Sequence, residues 1–201
     1  MDLWRFLKIW STLYYLDPQS KKLLCMLMLS LRNLASSCLI CLLVSLSFVA
    51  QADIKRPSER VILSISGLIE ETNMLGSPDP VVEFDMAMLQ ELPSQHVTTY
   101  TAWTNGTPVF KGVLLSDLLD KVKAQGQKIR VTALNMYSAD IDVKMLEQFP
   151  IILAYAMDGE AMSIRNKGPL WVIYPVKEFP ELNQPKHVSS MVWQVNSIVV
   201  F

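Results

Sequence analysis

Three short clusters set polar side chains beside aromatic rings or glycine-bearing backbone: Trp103-Thr104-Asn105-Gly106, Asn135-Met136-Tyr137-Ser138 and Arg165-Asn166-Lys167-Gly168-Pro169. The third joins two cations to backbone freed by glycine, directly ahead of an apolar run. That arrangement can cradle an anion through charge-assisted hydrogen bonds; it also reads as a loop whose charges are simply solvated. Trp103 and Tyr137 can stack on a flat ligand, or can pack at the rim of a core.

Other chemistries lack their residues. All three cysteines (Cys25, Cys38 and Cys41) precede residue 51, and the two histidines, His96 and His187, lie far apart, so the later chain has too few soft ligands for zinc or a thiolate-bound metal. Asp140 and Asp142 lack the EF-hand's central glycine and terminal glutamate and read as a solvated turn. There is no G-x-S-x-G elbow, and neither Ser138 nor Ser163 has a histidine nearby in sequence. A paired-carboxylate hydrolase stays open, with nothing to select the pair. The catalytic residues are therefore unknown from the sequence, and no metal ligand is assigned.

The elements that must position these clusters follow from periodicity. Alternation predicts a strand over residues 60–69, a breaker-rich loop over 76–80 and a short strand over 81–84. Asp85 is placed to cap a helix whose Met88, Leu89 and Leu92 share a face before Pro93. Residues 95–103 read as a strand turning at Asn105-Gly106. Leu115, Leu118, Leu119 and Val122 mark a helix by their i, i+3, i+4, i+7 spacing. Residues 128–134 predict a strand with Ile129, Val131 and Ala133 on one face. Residues 151–157 predict a buried strand, turned by Asp158-Gly159 into residues 161–164. A further buried strand is expected over 170–174, and a terminal strand over 188–201. Many short strands with a few short helices indicate one α+β domain over 53–201 with a mixed, mostly antiparallel sheet.

With 18 basic and 19 acidic residues among 201, the chain has net charge −1 and no basic block, which excludes a nucleic-acid partner. Residues 34–50 form an uncharged apolar run after Arg32, and Ala50 and Ala52 make the A-x-A pattern of a signal-peptidase site. The expected cut falls between Ala52 and Asp53, leaving 149 of the 201 residues. The alternative is a retained membrane anchor. The aromatic stretch before the run fits no usual leader, so the start is expected at Met26 or Met28. Removing residues 1–52 takes away five basic residues (Arg5, Lys8, Lys21, Lys22, Arg32) and two acidic ones (Asp2, Asp17). That leaves 13 against 17, an acidic domain of net −4 without cysteine. The expected location is periplasmic or secreted.

The ordered series Phe110-Lys111-Gly112-Val113-Leu114-Leu115, Ala133-Leu134-Asn135-Met136-Tyr137-Ser138, Ile152-Leu153-Ala154-Tyr155 with Asp158-Gly159-Glu160, and the run from Arg165 to Pro175 resembles the oxidoreductase molybdopterin-binding domain of the sulfite oxidase type, most closely its short exported single-domain members. The resemblance covers about Ile65 to Val199. It implies a sulfite-oxidase-like α+β fold whose cleft, in catalytic members, holds the pterin of a molybdenum cofactor. Carried onto this chain, the cofactor-binding residues would be Thr101, Trp103, Asn105, Asn135, Tyr137, Arg165, Lys167 and Gly168.

Two departures alter that expectation. Catalytic members hold molybdenum through a cysteine at the position where this chain has Thr101, a hard hydroxyl donor that cannot replace a thiolate. They also tend to carry an arginine after the segment matching Gly168-Pro169-Leu170, where this chain has Trp171. The expectation is a protein that binds a small anionic or heteroaromatic ligand, possible molybdopterin included, without molybdenum redox chemistry. Two alternatives stand beside it. One is an oxidoreductase holding its metal only through the pterin dithiolene. The other is a non-catalytic sensory or interaction module with a membrane signalling or redox partner.

Overall fold

In the computed structural model the described residues are 54–201 together with Gln19, Lys22 and Met26. The cut after Ala52, the start at Met28 and the three cysteines lie outside them. Asp53–Phe201 forms one compact unit. Among the described residues no helix is long and apolar enough to cross a membrane.

Two five-stranded sheets make up this unit. The first has the order β2-β1-β10-β5-β6, built from β1 (Leu63–Gly67), β2 (Val81–Phe84), β5 (Lys128–Ala133), β6 (Ser138–Asp142) and β10 (Val195–Val200). Only the β1–β10 pairing within it is parallel. The second joins β3 (Ser94–Thr98), β4 (Val109–Leu114) and β7 (Ile152–Met157), with β8 (Glu160–Ala161) and β9 (Trp171–Ile173) both on the far side of β7. Short helices α1 (Met86–Glu91), α2 (Leu115–Lys121), α3 (Val143–Gln148) and α4 (Pro185–Ser189) complete the α+β domain.

Burial explains why the apolar patterns became these elements. In β5, Ile129, Val131 and Ala133 are buried while Lys128 and Arg130 are exposed, as the alternation predicts. Leu115, Leu118, Leu119 and Val122 all enter the main core along one face of α2 and its cap. The unbroken apolar run of β7 reflects burial on both faces: Leu153 and Tyr155 join the main core, Ile152 and Ala154 a second cluster with Phe110, Trp171 and Ile173. Its hairpin turns at Asp158 (φ 52°) and Gly159 (φ 86°), two successive left-handed residues of the kind a two-residue turn needs.

Several expectations are corrected. The strand expected over 95–103 stops at Thr98, because the hydroxyls of Thr101 and Thr104 capture the backbone that would have extended it. Asp140 and Asp142 do not form a turn. They lie in β6 opposite Arg130 and Lys128 of β5, and Arg130 donates to Asp140 through Nε (2.8 Å) and the guanidinium Nη2 (2.9 Å). The hairpin partner of β7 is two residues long, and Ile164–Asn166 instead coils into a 3-10 turn. The terminal strand begins only at Val195; Val188 belongs to α4, which Pro185 starts.

Candidate functional site

Three irregular segments, each tied down locally, surround a cleft of about 480 Å3. The first follows β3. Thr101 is buried, its Oγ1 accepts from the Trp103 N–H (3.1 Å) and lies 3.2 Å from Thr104 Oγ1, and its own N–H donates to Thr104 Oγ1 (3.0 Å). This knot holds Trp103 on the surface, facing the cleft. The second is the β5–β6 turn. Asn135 Oδ1 accepts from the Tyr137 N–H (3.1 Å), Met136 is left-handed (φ 67°), and the Tyr137 hydroxyl donates to the Ser189 carbonyl (2.9 Å). That last bond joins this turn to the third segment, α4 and the residues after it, which contribute Val188, Met191 and Trp193.

The walls are mostly apolar, and three of the lining residues, Trp103, Tyr137 and Trp193, are aromatic. Trp193 meets Trp103 edge to face at 4.9 Å, and Trp171, whose Nε1 donates to the Met191 carbonyl (3.0 Å), lies 6.5 Å from Trp103 and 6.4 Å from Trp193. A flat heteroaromatic ring is the ligand such rings favour, with Asn135 as a polar handle.

A smaller groove of about 280 Å3 shares Trp103 and adds Asn105, Asp158, Asn166, Lys167 and Trp171. The Lys167 ammonium sits 5.4 Å from the centroid of the Trp171 ring. Asp158, whose Oδ1 accepts from the Val109 N–H (2.8 Å), places a carboxylate in the same groove. The groove thus carries one charge of each sign and no anionic preference of its own.

The eight sequence candidates therefore separate. Trp103, Asn135 and Tyr137 share the cleft, and Asn105 and Lys167 line the groove with Trp103. Thr101, Arg165 and Gly168 line neither of these two. Thr101 is a buried tether under the loop. Arg165 is exposed on the 3-10 turn. Gly168 is a packing position, where any Cβ would collide with the Met162 carbonyl. Sequence reasoning missed Trp193, Met191 and Val188, because they lay in what read as a terminal strand. It also took Trp171 only as a missing cation. Five tryptophans in 201 residues, with two of them 22 positions apart beside Met191, were the available signal.

Residues 76–194, more than half of the chain, match the family described as oxidoreductase molybdopterin binding domain, and the chain belongs to that family. Among solved structures it is similar to the sulfane dehydrogenase SoxCD from Paracoccus pantotrophus, at 17% identity and a TM-score of 0.52, over 69% of this chain and 37% of that one. It thus spans little more than a third of that enzyme's length, and the likeness is one of fold. No match is found among curated proteins.

The residues present bear differently on the metal and on the ring system of the family's cofactor. Thr101, which the sequence resemblance sets against the family's cysteine, has its hydroxyl engaged with Trp103 and Thr104, and among the described residues no three His, Cys, Asp or Glu side chains cluster to hold an ion. Nor does any cation line the aromatic cleft to grip a phosphate. The ring system alone suits these walls.

Proposed function

We propose that this domain is a ligand-binding member of its family, taking a flat heteroaromatic compound of the pterin class into the Trp103–Tyr137–Trp193 cleft without molybdenum redox chemistry. The observation that carries this reading is the pairing of an apolar cleft lined by Trp103, Tyr137 and Trp193 with a threonine whose hydroxyl is committed to its own loop. Thr101 keeps Trp103 in place; Tyr137, fastened to Ser189, holds the opposite wall; Asn135, its Oδ1 taken by the Tyr137 N–H, offers the ring a donor through its Nδ2. An anionic substituent would reach Lys167 only past Trp103, and would meet Asp158 there. We place its action in the periplasm or outside the cell, on the strength of the apolar run over 34–50 and the small residues Ala50 and Ala52.

The test is a titration of the full chain with neopterin, read by tryptophan fluorescence, alongside elemental analysis of protein purified from its native compartment. Saturable quenching that Trp103→Ala weakens by about tenfold or more is expected. Stoichiometric molybdenum, or quenching that survives the substitution unchanged, overturns the reading.

A further inference from the structure

A second cavity, of about 470 Å3, lies on the other side of the β5–β6 turn, where Leu134 faces it while its neighbours Asn135 and Tyr137 line the aromatic cleft. Its body is apolar, formed by Ile62, Leu134, Met162 and Ile164, and it contains no tryptophan. The wall is held in place by Gln194, whose Nε2 donates to the Ile164 carbonyl (2.7 Å).

Three residues with polar side chains bear on the choice of ligand: Asn196, half-buried Glu83 and exposed Arg60. Asn196 lies where the β10–β5 register shifts between Val195 and Ser197, so it is the extra residue of a bulge, a feature that re-aims a side chain. Its Oδ1 is buried without a hydrogen-bond partner, the one such side-chain atom among the described residues. A buried acceptor left unpaired opposes folding. Arg60 and Glu83 line the same cavity, and no ion pair joins either of them to another described residue.

We propose that this cavity binds a small zwitterion with an apolar body, of the class of the apolar α-amino acids. Arg60 takes the carboxylate and Glu83 takes the ammonium. A simple anion would leave Glu83 opposed to it, and a simple cation would leave Arg60 so. The apolar wall selects a hydrocarbon side chain.

Isothermal titration calorimetry of the full chain with L-leucine, N-acetyl-L-leucine and L-leucinamide tests this. L-leucine is expected to bind saturably, with each blocked analogue weaker by about tenfold, since each leaves one charged group of the cavity unpaired. Arg60→Gln and Glu83→Gln should each weaken L-leucine by a similar factor and leave neopterin quenching at the tryptophans unchanged. Absence of L-leucine binding overturns the proposal. So does equal binding of the three compounds to the unmodified chain, a comparison that needs no variant to fold. The site is independent of the aromatic cleft, so failure of either proposal leaves the other standing.

Discussion

The Thr101 hydroxyl accepts from the Trp103 N–H and meets Thr104 Oγ1 in a buried position, so the loop presenting Trp103 is built around one side-chain oxygen. Thr101→Val keeps the shape and removes the acceptor, leaving the part-buried Trp103 N–H without its partner. It is expected to cost about 1–3 kcal/mol of stability by urea denaturation and to weaken neopterin quenching. Thr101→Ser, which restores the oxygen, should recover both. Unchanged stability of the valine variant would show that the knot does not hold the loop. The sequence showed a threonine at 101, where the family resemblance implies a thiolate. It did not show the partners, because a hydroxyl three residues from another chooses between solvent and backbone only once the chain direction is set.

Asp85 shows the same division for an element. Its capping of α1 was legible, since a carboxylate reaching the third N–H ahead is a local event, and its Oδ1 does accept from the Met88 N–H at 2.8 Å. Its other oxygen accepts from the Ser58 N–H (2.8 Å) and the Glu59 N–H (3.1 Å), contacts 27 and 26 residues distant that fasten the entry segment to the sheet. The Met88 bond above all, then those from Glu59 and Ser58, holds the carboxyl below its ordinary 3.8 against the opposing effect of burial. A carboxyl depressed in the folded state stabilises fully above that ordinary value and loses the contribution as pH falls through its lower folded one. Asp85→Asn should therefore unfold at lower urea than the parent at neutral pH, with the gap closing in strong acid. A gap constant with pH would show that charge plays no part in the cap.

For the molecule as a whole, α4 matters beyond its length, because it walls the aromatic cleft and buries His187, whose ring centre lies 5.7 Å from that of Tyr174. Burial, aided by neighbouring Lys186, lowers the His187 pKa from 6.5. The folded domain thus prefers the neutral ring. Stability from this group is fully present above 6.5 and is lost as pH falls through the lower folded value, so His187→Phe should flatten the decline in urea midpoint on acidification. An undiminished decline would assign it to the carboxylates instead. By itself the sequence determined the charge balance, the strands β5 and β7 and the principal helix, the Asp85 cap and the absence of a cysteine after residue 51, all properties of composition or of neighbours within a few positions. It could not determine that Trp103 and Trp193, 90 positions apart, meet at 4.9 Å, that Arg165 turns away from both pockets, or that Asn196 sits at a bulge. Those were decided by strand pairing and sheet packing, because periodicity tells which face of an element is apolar but not which distant element will cover it.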